Sequence, residues 1–217
     1  MLELIFNHPK DSELKILCLG AHSDDIEIGC GGTILRLVDE YSNLNICWIV
    51  FSAQDQRAVE AQESAASFLN NVHRKRVIIK GFTDGYFPYI GAEVKDYFER
   101  LKVEFEPDLI FTHYRYDLHQ DHRLISELTW NTYRNHLILE YEIPKYDGDL
   151  GSPNLFIKLD KATCEKKIKL ILHHFNSQRK RHWFTDETFL SILRLRGVEA
   201  GSAGELAESF YNRKMVY

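Results

Sequence analysis

The chain has no excess of positive charge. Its 27 Lys and Arg stand against 32 Asp and Glu, a formal net charge of −5 over 217 residues. That removes the electrostatic footprint of a protein whose main partner is nucleic acid or an anionic membrane surface. The short cluster Arg179-Lys180-Arg181 reads as a solvated turn before it reads as a contact for an anionic substrate group. No window approaches the eighteen or so uncharged residues that a membrane span requires. The segment Met1 to His8 has neither a basic stretch nor a long apolar one, so a cytoplasmic location is expected. The four cysteines form no C-x-x-C pair, which argues against a disulfide framework and a thiolate zinc site. Cys18 and Cys47 lie in apolar runs and read as buried thiols, Cys164 falls in a polar helical pattern, and Cys30 stands between glycines. Repeats, low-complexity tracts and linkers are missing too, and with 44% hydrophobic residues one domain over 1–217 is expected.

What is present alternates. Short apolar runs at Lys15–Ala21, Leu44–Phe51, Arg76–Lys80 and Asp108–Thr112 read as buried strands. Helical patterns follow them at Thr33–Tyr41, Gln56–Leu69, Ala92–Phe105 and Asp121–Asn135. Glu106-Pro107 closes the third helix, since proline disfavours helix at the residue before it. Strand and helix in alternation imply an α/β fold: a Rossmann-like, mostly parallel sheet with helices on both faces. The second half is less regular. Asn154–Leu159 suits a strand, Lys161–Phe175 and Asp186–Leu195 suit helices, and Tyr146–Pro153 reads as a loop.

The first strand ends in Ala21-His22-Ser23-Asp24-Asp25, and the fourth is followed by His119-Gln120-Asp121-His122. Parallel strands finish at the sheet edge where ligands bind, so the two clusters can converge despite their separation in sequence. Two imidazoles and one carboxylate around a divalent ion, with one position open to water, make a hydrolytic zinc centre, which brings the pKa of that water to about 7. One of the adjacent Asp24 and Asp25 can ligate while the other serves as base. His119 and His122, three apart at a helix start, share a face. Asp121 can orient a neighbouring imidazole. Each cluster alone also suits a helix cap and loop, with Asp121 a good capping residue; the pair, each after a strand, is what points to a metal site. The glycines at 29, 31 and 32 do not complete a dinucleotide fingerprint, because Ile34 stands where the last glycine belongs and no acidic residue ends the second strand. They suit close packing of a helix on the sheet.

These residues resemble the zinc-dependent de-N-acetylases known as LmbE-like or PIG-L-like. The hallmarks of that family are Ala-His-Pro-Asp-Asp and His-Pro-Asp-His; here Ser23 and Gln120 replace the two prolines, and Glu27 stands two residues after Asp25, where the commonest form has Glu directly after it. Further elements are similar: Arg57-x-x-Glu60 with Ala65, Ala66 and Leu69, Phe82-Thr83-Asp84-Gly85, Glu106-Pro107-Asp108 leading to His113, Ser177-Gln178, and Ala207-Glu208-Ser209-Phe210. The resemblance implies one zinc ion, with iron(II) as the other candidate, held by His22, Asp25 and His122. It implies Asp24 as general base and His119, oriented by Asp121, as the group that stabilises the oxyanion or protonates the leaving amine. Arg57 and Asp84 match positions that contact sugar hydroxyls in relatives. His113 suits a structural hydrogen bond or a place lining the pocket.

The expected activity is removal of acetyl from an N-acetylated amino sugar, free, glycosidic or nucleotide-linked. The expected partner is that small molecule, with neither nucleic acid nor membrane insertion, and homo-oligomerisation left open. Tyr86-Phe87-Pro88-Tyr89 suits either stacking on a sugar or packing on a helix. Two rivals remain: another metallohydrolase such as a two-metal phosphoesterase, and a non-catalytic sugar-binding protein on the same fold.

Overall fold

The computed structural model describes residues 8–201 and 206–216; the reading of Met1 to Asn7 therefore lies outside the described residues. Seven strands are described: β1 (Leu14–His22), β2 (Leu44–Ser52), β3 (Arg74–Ile79), β4 (Leu109–His113), β5 (Leu137–Tyr141), β6 (Leu155–Leu159) and β7 (Leu206–Tyr211). Six α-helices separate them: α1 (Asp25–Glu40), α2 (Asp55–Phe68), α3 (Gly91–Glu104), α4 (Gln120–Thr132), α5 (Lys161–His174) and α6 (Asp186–Glu199). The strands form one sheet in the order β3-β2-β1-β4-β5-β7-β6. The first five are parallel and β7 runs antiparallel to both its neighbours. This is the α/β architecture expected, with a mixed edge added.

The sheet is covered on both sides, which is why β1 and β2 are apolar without alternation. Ile16, Cys18, Trp48 and Val50 pack on one side with α1, α2, α5 and α6. Leu17, Leu19, Ile49 and Phe51 pack on the other with α3 and α4. All four cysteines are free and buried. Among the described residues no helix is long and apolar enough to cross a membrane.

Three expectations need correction. The first helix begins at Asp25, not Thr33, so the glycines lie inside it. Each glycine in a helix interior costs about 1 kcal/mol against alanine, but tertiary packing requires them. A Cβ at Gly29 would sit 2.1 Å from the Tyr141 ring, and one at Gly32 would sit 2.4 Å from Leu159. The helix read as Asp121–Asn135 ends at Thr132, and the residues just beyond it, Leu137–Tyr141, form β5. β7 was not anticipated as a strand either; both are short and interrupted by polar residues that find buried partners.

The order of the strands positions the site. From β1 the chain winds outward one way through β2 and β3, then returns to lay β4 on the other flank of β1. The carboxyl ends of β1 and β4 therefore flank a topological switch point, the crevice where open α/β sheets bind ligands.

Candidate active site

β1 ends at His22, and its backbone N–H donates to Asp25 Oδ2 at 2.6 Å. That bond folds the chain straight from strand into helix. Asp24 occupies the N-cap of α1 without a side-chain cap bond. From β4, the loop 114–119 leads to α4, whose first turn carries Asp121 and His122. The two clusters meet. His22 Nδ1 lies 3.1 Å from His122 Nε2 and 3.4 Å from Asp25 Oδ2, and that oxygen lies 3.5 Å from His122 Nε2. All three residues are buried.

Each of the two imidazoles also has a carboxylate on its second nitrogen. His122 Nδ1 pairs with Asp117 Oδ2 at 3.0 Å, and His22 Nε2 pairs with Asp121 Oδ2 at 3.3 Å and Asp84 Oδ1 at 3.0 Å. Asp121 further accepts from the backbone N–H groups of Gly85 and Phe87, at 2.7 and 3.1 Å. The contact differs from the one expected for Asp121. Its carboxylate pairs with His22, whereas His119 is touched only by its backbone N–H, which donates to His119 Nδ1 at 3.3 Å. The reason is the helix start: with His119 at the N-cap, Asp121 points inward under loop 83–87. His119 itself is only partly buried, its ring 4.8 Å from that of His22 and 4.6 Å from that of His122.

Arg57, on the first turns of α2, donates from Nε to Ser23 Oγ at 3.0 Å and reaches Asp24 Oδ1 at 3.5 Å. It also lies 3.6 Å from Asp84, which is half exposed. Ser23 thus supplies a hydroxyl acceptor that a proline could not. Gln120, at the other non-proline position, donates to the carbonyl of Gly85. The aromatic loop divides: Phe87 is buried against His22, while Tyr86 and Tyr89 are exposed. The basic cluster is a turn as expected, Arg179 donating to the carbonyl of Leu172 and Arg181 to Gln178 Oε1.

The electrostatics separate the two adjacent aspartates. Burial, then the charge of Asp25, pushes Asp24 up to about 6, against the pull of Arg57 and His22. Burial would raise Asp25 as well, but His122, His113 and His22 outweigh it and hold that carboxylate well below its usual range. Burial lowers His122 to about 4, so its lone pair is available at neutral pH. His119 is lowered by burial first and then by the neighbouring His22. Burial would lower His22 too, but the surrounding carboxylates, Asp25 foremost, overcome it and move that imidazole well up.

Two participants escaped the sequence reading. Asp117 is buried, takes the far nitrogen of His122 and accepts from the backbone of His119 at 2.7 Å. Lys145, from the loop after β5, reaches Asp117 Oδ2 at 2.9 Å. Both lie in loops, Asp117 before α4 and Lys145 after β5, so the periodicity of strands and helices gave no signal. His113 makes the structural hydrogen bond anticipated for it and is fully buried. Its Nε2 takes the Ala21 N–H at 2.9 Å and lies 3.2 Å from Asp25 Oδ2, and its ring stacks on His122.

Residues 17–133, more than half of the chain, match the family described as PIG-L: GlcNAc-PI de-N-acetylase. The chain belongs to the PIG-L family. That membership places it among enzymes acting as de-N-acetylases. Solved structures share its fold. A conserved protein from Thermus thermophilus superposes with a TM-score of 0.71 at 20% identity, covering 94% of this chain and 97% of its own. An N,N'-diacetylchitobiose deacetylase from Pyrococcus horikoshii gives 0.65 at 20% identity, covering 91% and 83%. A 4-carboxy-2-hydroxymuconate hydratase from Pseudomonas putida gives 0.69 at 16% identity, covering 94% and 98%. The scaffold of this PIG-L family member therefore hosts more than one chemistry, and its reaction has to be argued from the site.

Proposed function

We propose that this PIG-L family member hydrolyses the acetamide of an N-acetylated amino sugar, using one divalent ion held by His22, Asp25 and His122. One observation carries the reading. A tetrahedral ion with bonds of about 2.0–2.1 Å has ligand atoms roughly 3.3–3.4 Å apart, and the three donor atoms are separated by 3.1, 3.4 and 3.5 Å. The donor set, two imidazoles and a carboxylate, suits zinc, with iron(II) as the second candidate. Both imidazoles have the carboxylate partner that orients metal-binding histidines.

When bound, the ion supplies Lewis acidity that activates water and polarises the acetamide carbonyl. The protein's own groups do the rest. Asp24 takes the proton of the attacking water, and Arg57 holds that carboxylate in place. As the carbonyl carbon becomes tetrahedral, the partly buried His119 would stabilise the charge on its oxygen. The C–N bond then breaks, the amine leaves with a proton delivered through His119, and acetate remains. Arg57 and Asp84, paired at the rim, contact sugar hydroxyls in this reading. The acidic surface favours a soluble glycoside or nucleotide-linked substrate over one embedded in an anionic membrane.

The test is a panel of N-acetyl sugars and their nucleotide conjugates, assayed for acetate and free amine with zinc-loaded protein. Stoichiometric release with one ion per chain is expected. Two ions per chain with phosphate-ester cleavage would favour the phosphoesterase alternative. Protein that holds no ion and releases no acetate would leave the sugar-binding alternative.

A further inference from the structure

The loop between β5 and β6 lies outside both motifs, yet it reaches the site through a buried cation. Lys145 Nζ lies 2.9 Å from Asp117 Oδ2 and 2.5 Å from Asp149 Oδ2, and also donates to the carbonyl of Ile143 at 3.4 Å. Its side chain is only 10% exposed, that of Asp149 6% and that of Asp117 2%. Asp149 Oδ2 in turn accepts the backbone N–H of Leu118 at 2.7 Å, tying the loop to the residue between Asp117 and His119. The far ends of the loop are fixed as well. Arg196 grips Glu142 with bonds of 2.6 and 2.8 Å and reaches the carbonyl of Gly151 at 3.2 Å.

We propose that Lys145 is a positioning residue for the ion site, acting through Asp117. The Asp117 carboxylate has two duties: Oδ2 orients the His122 ring and Oδ1 holds the His119 backbone. A lone carboxylate could swing between such partners. The Lys145 ammonium holds the same Oδ2 that pairs with His122, favouring the one rotamer that serves both histidines. It also separates Asp117 from Asp149, two buried acids that would otherwise repel. Loss of such an orienting partner typically weakens metal affinity 10–100-fold.

The inference rests on the ion site proposed above, and its test reads ion binding instead of turnover. Zinc dissociation constants are measured by chelator competition for the wild type, Lys145→Met, Lys145→Arg, Asp117→Asn and the double variant Lys145→Met/Asp117→Asn. Asp117→Asn should weaken zinc about 10–100-fold, Lys145→Met should weaken it measurably but by no more than that, and Lys145→Arg should recover most of the Lys145→Met loss. The double variant should be no weaker than Asp117→Asn alone, since both changes break one chain of contacts. Cobalt-substituted Lys145→Met should show a displaced visible absorption band. Should Lys145→Met fail to fold, Lys145→Met/Asp149→Asn removes both members of a buried pair and should show the same weakening. Wild-type affinity in either fold-competent variant, or full additivity with Asp117→Asn, would overturn the role of Lys145 while leaving the ion site intact. A wild type that binds no zinc would overturn both.

Discussion

Two regions of this molecule bury charge, and they do so in opposite ways. Beneath α1, Lys167 and Glu208 form a closed set. The ammonium donates to Glu208 at 2.6 Å and to the carbonyl of Ile28 at 2.7 Å, and Glu208 accepts the backbone N–H groups of Gly32 and Thr33 at 2.7 and 2.6 Å. Every charge there is answered from within the chain. At the end of β1 the balance differs. Asp24, Asp25, Asp84, Asp117 and Asp121 crowd around histidines with Arg57 and Lys145 as the cations paired to them. Two ring nitrogens there face each other at 3.1 Å. A closed set is architecture; an open one, richer in acids than in cations paired to them, is suited to binding a cation.

The contrast can be broken by substitution. On the open side, Asp24→Asn should lower kcat by at least about 10²–10⁴-fold, the usual contribution of a general base. The variant should keep its ion and thermal stability, whereas Asp25→Ala or His122→Ala should lose the ion. Metal analysis beside an acetate assay decides the matter, and full turnover by Asp24→Asn would remove that residue from the mechanism. On the closed side, Lys167→Met should leave ion affinity alone but cost about 3–5 kcal/mol in urea unfolding, because Glu208 is stranded. Replacing Glu208 by Gln in the same chain should restore much of that loss.

Glu27 sharpens the comparison, since it lies one turn along α1 from Asp24 and belongs to neither set. It is fully buried, and that burial pushes its pKa well up against the pull of the Ser64 hydroxyl. The folded protein therefore keeps a proton that the unfolded chain releases above pH about 4. Its contribution to stability is complete below that pH and declines as pH rises toward the folded value. Glu27→Gln, neutral at every pH, should match the wild type near pH 4 to within about 1 kcal/mol and become the more stable chain near pH 7. Unfolding curves across that range test this; parallel pH profiles for the two proteins would mean Glu27 is charged in the fold.

Much of the site was legible because strand ends and helix starts leave local signatures. The apolar run before His22 and the one before His113 located two carboxyl edges, and the four motif residues His22, Asp25, His119 and His122 do meet. What stayed hidden was held by contacts that no local pattern encodes. The start of α1 was obscured because Gly29 and Gly32 make room for Tyr141 and Leu159, partners far along the chain. Lys145 is a polar loop residue until β5 carries it to Asp117, and Asp121 changed partners because loop 83–87 closes over it.

The amino-acid order by itself determined the alternation of strand and helix, the placement of acids and imidazoles at two strand ends, and the family to which the chain belongs. Only the tertiary structure decided which carboxylate serves which histidine, and which buried charges are answered within the chain. Spacing along a chain sets which face a side chain occupies, but pairing depends on distances of about 3 Å between segments that meet only once the sheet has closed.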